Sequence, residues 1–118
     1  MFAAAKKLDN LIGITDYNKL QIDGTVEQVN GIAPLGEKWA AFGWNVIDVK
    51  DGNDVEQVSA AIKAAKANRG SGKPTMVILN TKKGCGVKWI EDLGAGNHNT
   101  NVSEEQAAAA IREIRGEE

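Results

Sequence analysis

Apolar and polar positions along this chain switch repeatedly between helical and strand spacing. Phe2 to Leu8 is rich in alanine and predicts a helix, with no capping residue ahead of it. The run Leu11-Ile12-Gly13-Ile14 predicts a short strand over residues 10–15, where Gly13 marks close packing or a ligand's approach. Asp16 to Pro34 has little periodicity and is expected to be a long loop, a kind usually functional or disordered. Leu35, Trp39 and Phe42 share one helical face, with Gly43 as the stop, and Trp44 to Val49 predicts the second strand. Asn53 with Glu56 reads as a capping box, opening a helix that buries Val55, Val58, Ile62 and Ala65. After the turn at Arg69 to Pro74, Met76-Val77-Ile78-Leu79 is continuously apolar, as in a strand covered on both faces. Ser103 and Gln106 form a second capping box, ahead of a helix whose inner face is Ala107, Ala110, Ile111 and Ile114.

Strands and helices in alternation predict an α/β fold: a short, mostly parallel sheet with helices on both faces. A sheet of three strands leaves an edge that another strand can use. The 118 residues suit a single domain over 1–118.

Composition narrows the partners. The net charge is -2 and lysines and arginines are dispersed, which argues against a nucleic-acid surface. No apolar run approaches the roughly 20 residues that cross a bilayer, and the first residues carry their charges after the apolar part, the reverse of a secretory signal. A single cysteine fits a reducing, cytoplasmic setting.

The first predicted strand runs into Asp16-Tyr17-Asn18-Lys19-Leu20. At the carboxyl edge of a parallel sheet, where open α/β folds bind ligands, an amide oxygen and the carbonyls after it are hard donors suited to magnesium. The same residues also suit a plain surface turn, in which Asp and Asn bond their own backbone. His98 is the single histidine, set in a Gly/Asn-rich loop where such a side chain is commonly just solvated. A Cys85/His98 nucleophile pair lacks an identifiable third group. Arg69-Gly70-Ser71-Gly72-Lys73 lacks phosphate-loop spacing and precedes a strand, so it reads as a linker.

Residues 10–24 resemble the second half of the thiamine-diphosphate motif of transketolases, nearest to the amino-terminal subunit of split bacterial transketolases. The likeness continues in order through Phe42-Gly43-Trp44, Asp51-Gly52-Asn53-Asp54, Lys73-Pro74 and Thr81-Lys82-Lys83-Gly84-Cys85-Gly86-Val87. It implies that the Asn18 side-chain oxygen and the Leu20 carbonyl hold Mg²⁺ on the cofactor's diphosphate, and that Ile22 packs on the cofactor. It implies further that His98 reaches the thiazolium and substrate, for proton transfer or to bind substrate oxygens. In the family an aromatic residue often precedes this histidine and glycine follows it; Asn97 and Asn99 stand here instead. The implied reaction moves a two-carbon ketol unit between sugar phosphates. The implied partners are a carboxyl-terminal subunit or pyrimidine-binding domain, with homo-oligomers expected.

The first half of the family's metal motif, a Gly-Asp-Gly with a principal Mg²⁺ carboxylate, has no counterpart ahead of Asn18. The chain is therefore expected to correspond to the carboxyl-terminal part of the domain and to bind thiamine diphosphate weakly or not at all alone. Two other readings stay open. One is a related thiamine-diphosphate enzyme, such as a deoxyxylulose-phosphate synthase or a dehydrogenase first component. The other is a self-associating module that kept this fold and lost its chemistry.

Overall fold

Thr75–Leu79 (β5) carries the core, because it is hydrogen-bonded on both sides and covered on both faces. It lies between Ile12–Asp16 (β1) and Asn45–Val49 (β4), and all three strands run parallel. Its residues pair Ile14 with Val77 and Val77 with Ile47, so these three side chains share one face. A helix, Val55–Ala67 (α4), covers that face: Ala61 and Ala65 pack on Val49 and Val77, flanked by Ile12, Ile47 and Leu79. The opposite face receives Leu35–Ala41 (α3), where a Cβ on Gly36 would touch Val46 and Ile78. This is the expected α/β arrangement, in a computed structural model that describes residues 1–117.

The described residues form two compact units. The sheet belongs to the first, Met1–Asn18 with Gly31–Thr81; the second comprises Lys19–Asn30 and the residues from Lys82 on. In the second unit, Leu20–Gln21 (β2) and Gly24–Thr25 (β3) form an antiparallel hairpin that leads into a short helix, Val26–Asn30 (α2). Lys88–Asp92 (α5), a 3₁₀ turn at Gly94–His98 and Glu104–Arg115 (α6) complete it. At the amino end of the first unit, Phe2–Ala5 (α1) is a single turn, shorter than expected.

Several local expectations are corrected. The segment 16–34 is not one loop: it holds the hairpin and α2. The cap of α4 is Asp54 rather than Asn53, accepting from the Glu56 and Gln57 amides. Both residues suit a cap, and one residue of register decides between them. Val55 is consequently off the buried face and 80% exposed. The capping box at Ser103 and Gln106 is present in full. Beyond it, Ile111 and Ile114 are exposed, since a periodic pattern defines a face without supplying a neighbour. Thr75, outside the predicted run, is fully buried. Its hydroxyl oxygen accepts from Asn45 (3.3 Å) and Asn68 (3.0 Å), tying β4 and the end of α4 to the central strand. Among the described residues, no helix is long and apolar enough to cross a membrane.

Candidate functional site

Three parallel strands place their carboxyl ends on one rim, and the chain after β1 turns there. The Tyr17 amide donates to the Leu79 carbonyl at 2.8 Å, which extends the β1–β5 ladder one residue and fixes where the turn begins. The Asp16 carboxylate accepts from the Thr81 hydroxyl, just past β5, and from the Asn18 side-chain nitrogen at 3.5 Å. The nitrogen end of the Asn18 amide thus faces Asp16, and its oxygen lies on the other side of the amide. Across the rim, Asn80 donates to the Asp48 carboxylate (2.6 Å) and the Val49 carbonyl (2.9 Å). A Cβ on Gly52 would lie 2.8 Å from that of Leu79, so only glycine lets the backbone pass this close.

The second unit holds the remaining predicted residues. Leu20 is half-buried in the hairpin, paired with Thr25, and Ile22 at its tip is 66% exposed. β2 packs against the 3₁₀ turn that ends in His98, so Leu20 and His98 sit on neighbouring elements. The Lys83 ammonium lies 3.2 Å from His98 Nδ1. Asn97 donates to the carbonyls of Ile90 (3.1 Å) and Lys83 (3.4 Å), so the residue replacing the family's aromatic anchors the His98 turn to the glycine loop. Glu91 braces the same loop, accepting from the Gly86 amide (3.1 Å) and pairing with Lys82. Its carboxyl is held below the usual carboxylate range by Lys82 first and then by the Gly86 N–H, and Glu91 in turn raises the Lys82 ammonium. Cys85 is an exposed thiol, and the partner of the His98 ring is Lys83, not Cys85.

Among the described residues no group of three or more His, Cys, Asp or Glu side chains has the spacing of a metal site. The donors at the turn in the first unit are the Asn18 amide oxygen and the Asp16 carboxylate, both hard oxygens. Such a set fits part of a magnesium shell, the rest of which a phosphate ligand and waters complete. A cleft of about 350 Å³, lined by Asp9, Asn10, Ile12, Ala65, Lys66 and Arg69, opens near the start of β1, at the other end of the strand. There Asp9 serves structure, accepting from the amides of Gly70 (2.9 Å) and Gly72 (3.1 Å).

Residues 1–117 match the family described as "Transketolase, thiamine diphosphate binding domain". The chain belongs to the transketolase family. It is 44% identical over 117 residues to the 6-deoxy-6-sulfo-D-fructose transketolase subunit SqwG of Clostridium sp. (strain MSTE9), a match over 99% of this chain and 41% of that protein. It is 39% identical over 115 residues to an apulose-4-phosphate transketolase subunit of Actinobacillus succinogenes, a match over 98% of this chain and 40% of that protein. The chain therefore spans about two fifths of the length of these curated relatives. Among solved structures, transketolase from Campylobacter jejuni superposes with a TM-score of 0.79 at 28% identity, over 99% of this chain and 17% of that one.

Within this transketolase-type domain, sequence reasoning assigned no role to four residues, Asp16 and Thr81 in the first unit and Lys83 and Asn97 in the second. Asp16 was the most findable, since it is two residues before Asn18 at the strand's end. The other three act across 14 to 65 positions of chain, which no local pattern reports.

Proposed function

We propose that this chain is part of a thiamine-diphosphate- and Mg²⁺-dependent transketolase that transfers a two-carbon ketol unit between sugar phosphates. The Asn18 amide oxygen and the Leu20 carbonyl ligate the metal, Ile22 packs on the cofactor, and His98 works at the substrate's oxygens. Thiamine diphosphate, when bound, supplies the electron sink for breaking the carbon–carbon bond beside a ketone. The protein's part is to hold the diphosphate, orient the sugar and control protons at its oxygens.

The observation that carries this reading is the turn after β1, in which Asp16 holds the nitrogen end of the Asn18 amide. An amide fixed at one end offers its oxygen to a metal with little ordering left to lose. Family membership and relatives named as transketolase subunits support the same reading. An amide and a carbonyl alone hold Mg²⁺ poorly, because the ion releases its waters reluctantly, and the Asp16 carboxylate at the turn is already engaged by Thr81 and Asn18. A second chain segment therefore completes the metal shell, and a carboxyl-terminal subunit or pyrimidine-binding domain completes the enzyme, in a cytoplasmic oligomer.

The test is calorimetry with thiamine diphosphate and Mg²⁺, first on this chain, then on its assembly with the partner subunit, followed by a ketol-transfer assay. Weak or absent binding by the chain alone is expected, with tight binding and activity in the assembly. Asn18→Ala abolishes both. Micromolar binding by the isolated chain overturns the partial-site reading, and full activity in Asn18→Ala overturns the metal assignment.

One observation favours a second reading, a self-associating module without chemistry. The edge strand β1 carries Ile14 at 55% exposure, and α6 exposes Ile111 and Ile114 at 50% and 66%. Exposed apolar strips and an open strand edge drive association. Light scattering separates the readings: a clean monomer counts against the module.

A further inference from the structure

A histidine beside a lysine has few ways to make a hydrogen bond. A charged lysine has three donors and no acceptor, while a neutral imidazole carries its single proton on one nitrogen and accepts at the other. Lys83 Nζ stands 3.2 Å from Nδ1 of His98. For that contact to be favourable, Nδ1 must present its lone pair, and the ring proton must sit on Nε2.

We infer that Lys83 is a positioning residue that fixes His98 as its Nε2–H tautomer, leaving Nε2 as a hydrogen-bond donor. The contact is prepared by the backbone. Asn97 bonds the carbonyl of Lys83 itself, so the residue before His98 and the residue carrying the ammonium are held together by a second link. Its other bond, to the Ile90 carbonyl, locks the turn to α5. Glu91, an acidic side chain that braces this loop, is engaged with Lys82 and the Gly86 amide, so it does not compete for the Lys83 ammonium.

The consequence for chemistry is specific, and it rests on the reading of His98 as a substrate-facing residue. A histidine protonated on Nε2 and capped by a cation on Nδ1 cannot take up a proton at Nε2. It donates to an oxygen of the sugar, a carbonyl or an alkoxide, and stabilises negative charge there. Of the two roles open to His98, this selects binding and polarising a substrate oxygen over acting as a base. The ligand class is a polar oxygen acceptor, such as the carbonyl or hydroxyl of a small sugar.

The chain contains one histidine, so its ring gives the only imidazole signals in a nitrogen-15 spectrum. Long-range proton–nitrogen correlation at about pH 8.5, where an ordinary histidine is uncharged, reads the tautomer directly. In the unmodified chain, Nδ1 is expected at the pyridine-type limit and Nε2 at the pyrrole-type limit. Lys83→Met moves the two resonances toward each other as the second tautomer gains population. Lys83→Arg, which keeps a cationic donor, restores the separation. A pyrrole-type Nδ1 in the unmodified chain overturns the inference, whatever the variants do, and so do resonances that Lys83→Met leaves in place while the fold is retained. The measurement needs neither cofactor nor activity, so its failure is distinct from failure of the thiamine-diphosphate reading, which calorimetry tests.

Discussion

Replacing Gly84 with alanine should damage the loop beside His98 far more than the same change at Gly86, although both glycines lie one residue from Cys85. Each has a positive φ, +80° at Gly84 and +96° at Gly86, so each substitution carries a conformational cost of about 1–2 kcal/mol. Alanine also restricts the unfolded chain, which returns about 0.4–1 kcal/mol at either site. The two then part. A Cβ on Gly84 would lie 2.5 Å from Ile90 Cγ2, 3.2 Å from the Asn97 side-chain nitrogen and 3.3 Å from the Glu91 amide, whereas a Cβ on Gly86 meets nothing within 4 Å. Forcing a methyl group into a packed site typically costs about 1–3 kcal/mol. Gly86→Ala should therefore destabilise by about 1 kcal/mol and Gly84→Ala by roughly 1.5–4 kcal/mol.

Urea unfolding followed by tryptophan fluorescence gives the global cost. Hydrogen exchange at the Ile90 and Glu91 amides, both bonded to the Val87 carbonyl, reports local opening of the loop. The contact contribution alone should raise their exchange roughly 5- to 150-fold in Gly84→Ala relative to Gly86→Ala. Equal effects at the two glycines would refute the reasoning, because the clash is the feature that distinguishes them.

Two further outcomes follow from the hydrogen bonds. Thr75→Val removes the acceptor shared by Asn45 and Asn68 and should cost about 1–2 kcal/mol in denaturant unfolding, while Thr75→Ser, which keeps the hydroxyl, should cost below about 1 kcal/mol; a valine variant as stable as the serine one would show that burial matters and the bonds do not. The carboxyls of Asp54 and Glu91 titrate below their ordinary range, so their stabilisation is complete above about pH 5 and is lost as acid carries them through their lowered values; Lys82, raised by Glu91, loses its share only as pH climbs past its ordinary value. Urea midpoints across pH should thus fall at the acid end, and Glu91→Gln should flatten that limb; a midpoint that rises on acidification would contradict the assignment.

The sheet was legible because its signals are repeated and strong. Met76 to Leu79 is apolar at every position, as in a strand covered on both faces, and α3 ends just ahead of the expected stop at Gly43. The hairpin was not legible, since strands of two residues show no period. Thr75 escaped for a related reason: a polar residue at the end of an apolar run reads as the run's boundary unless its partners are known. Those partners, Asn45 and Asn68, are thirty and seven residues away. Ile111 and Ile114 show the converse failure, in which correct periodicity names a face and nothing in the described chain covers it.

The candidate site divides along the same line, and the division has a physical basis. Asn18 follows directly from a strand that ends on a rim, so chain direction alone brings it to the turn, and a motif of a few residues can record it. His98 depends on being held against a loop fifteen residues earlier, and what holds it is one ammonium and one amide whose partners are a ring nitrogen and two backbone carbonyls. Backbone carbonyls carry no residue identity, so the Asn97 anchor leaves no paired signature in the sequence, and its replacement of an aromatic looks like a loss. The geometry reverses that inference. The asparagine holds the turn by hydrogen bonds to the Ile90 carbonyl and to the loop that carries Lys83. The departure from the family pattern thus brings its own anchor, Asn97, to the turn that ends in His98.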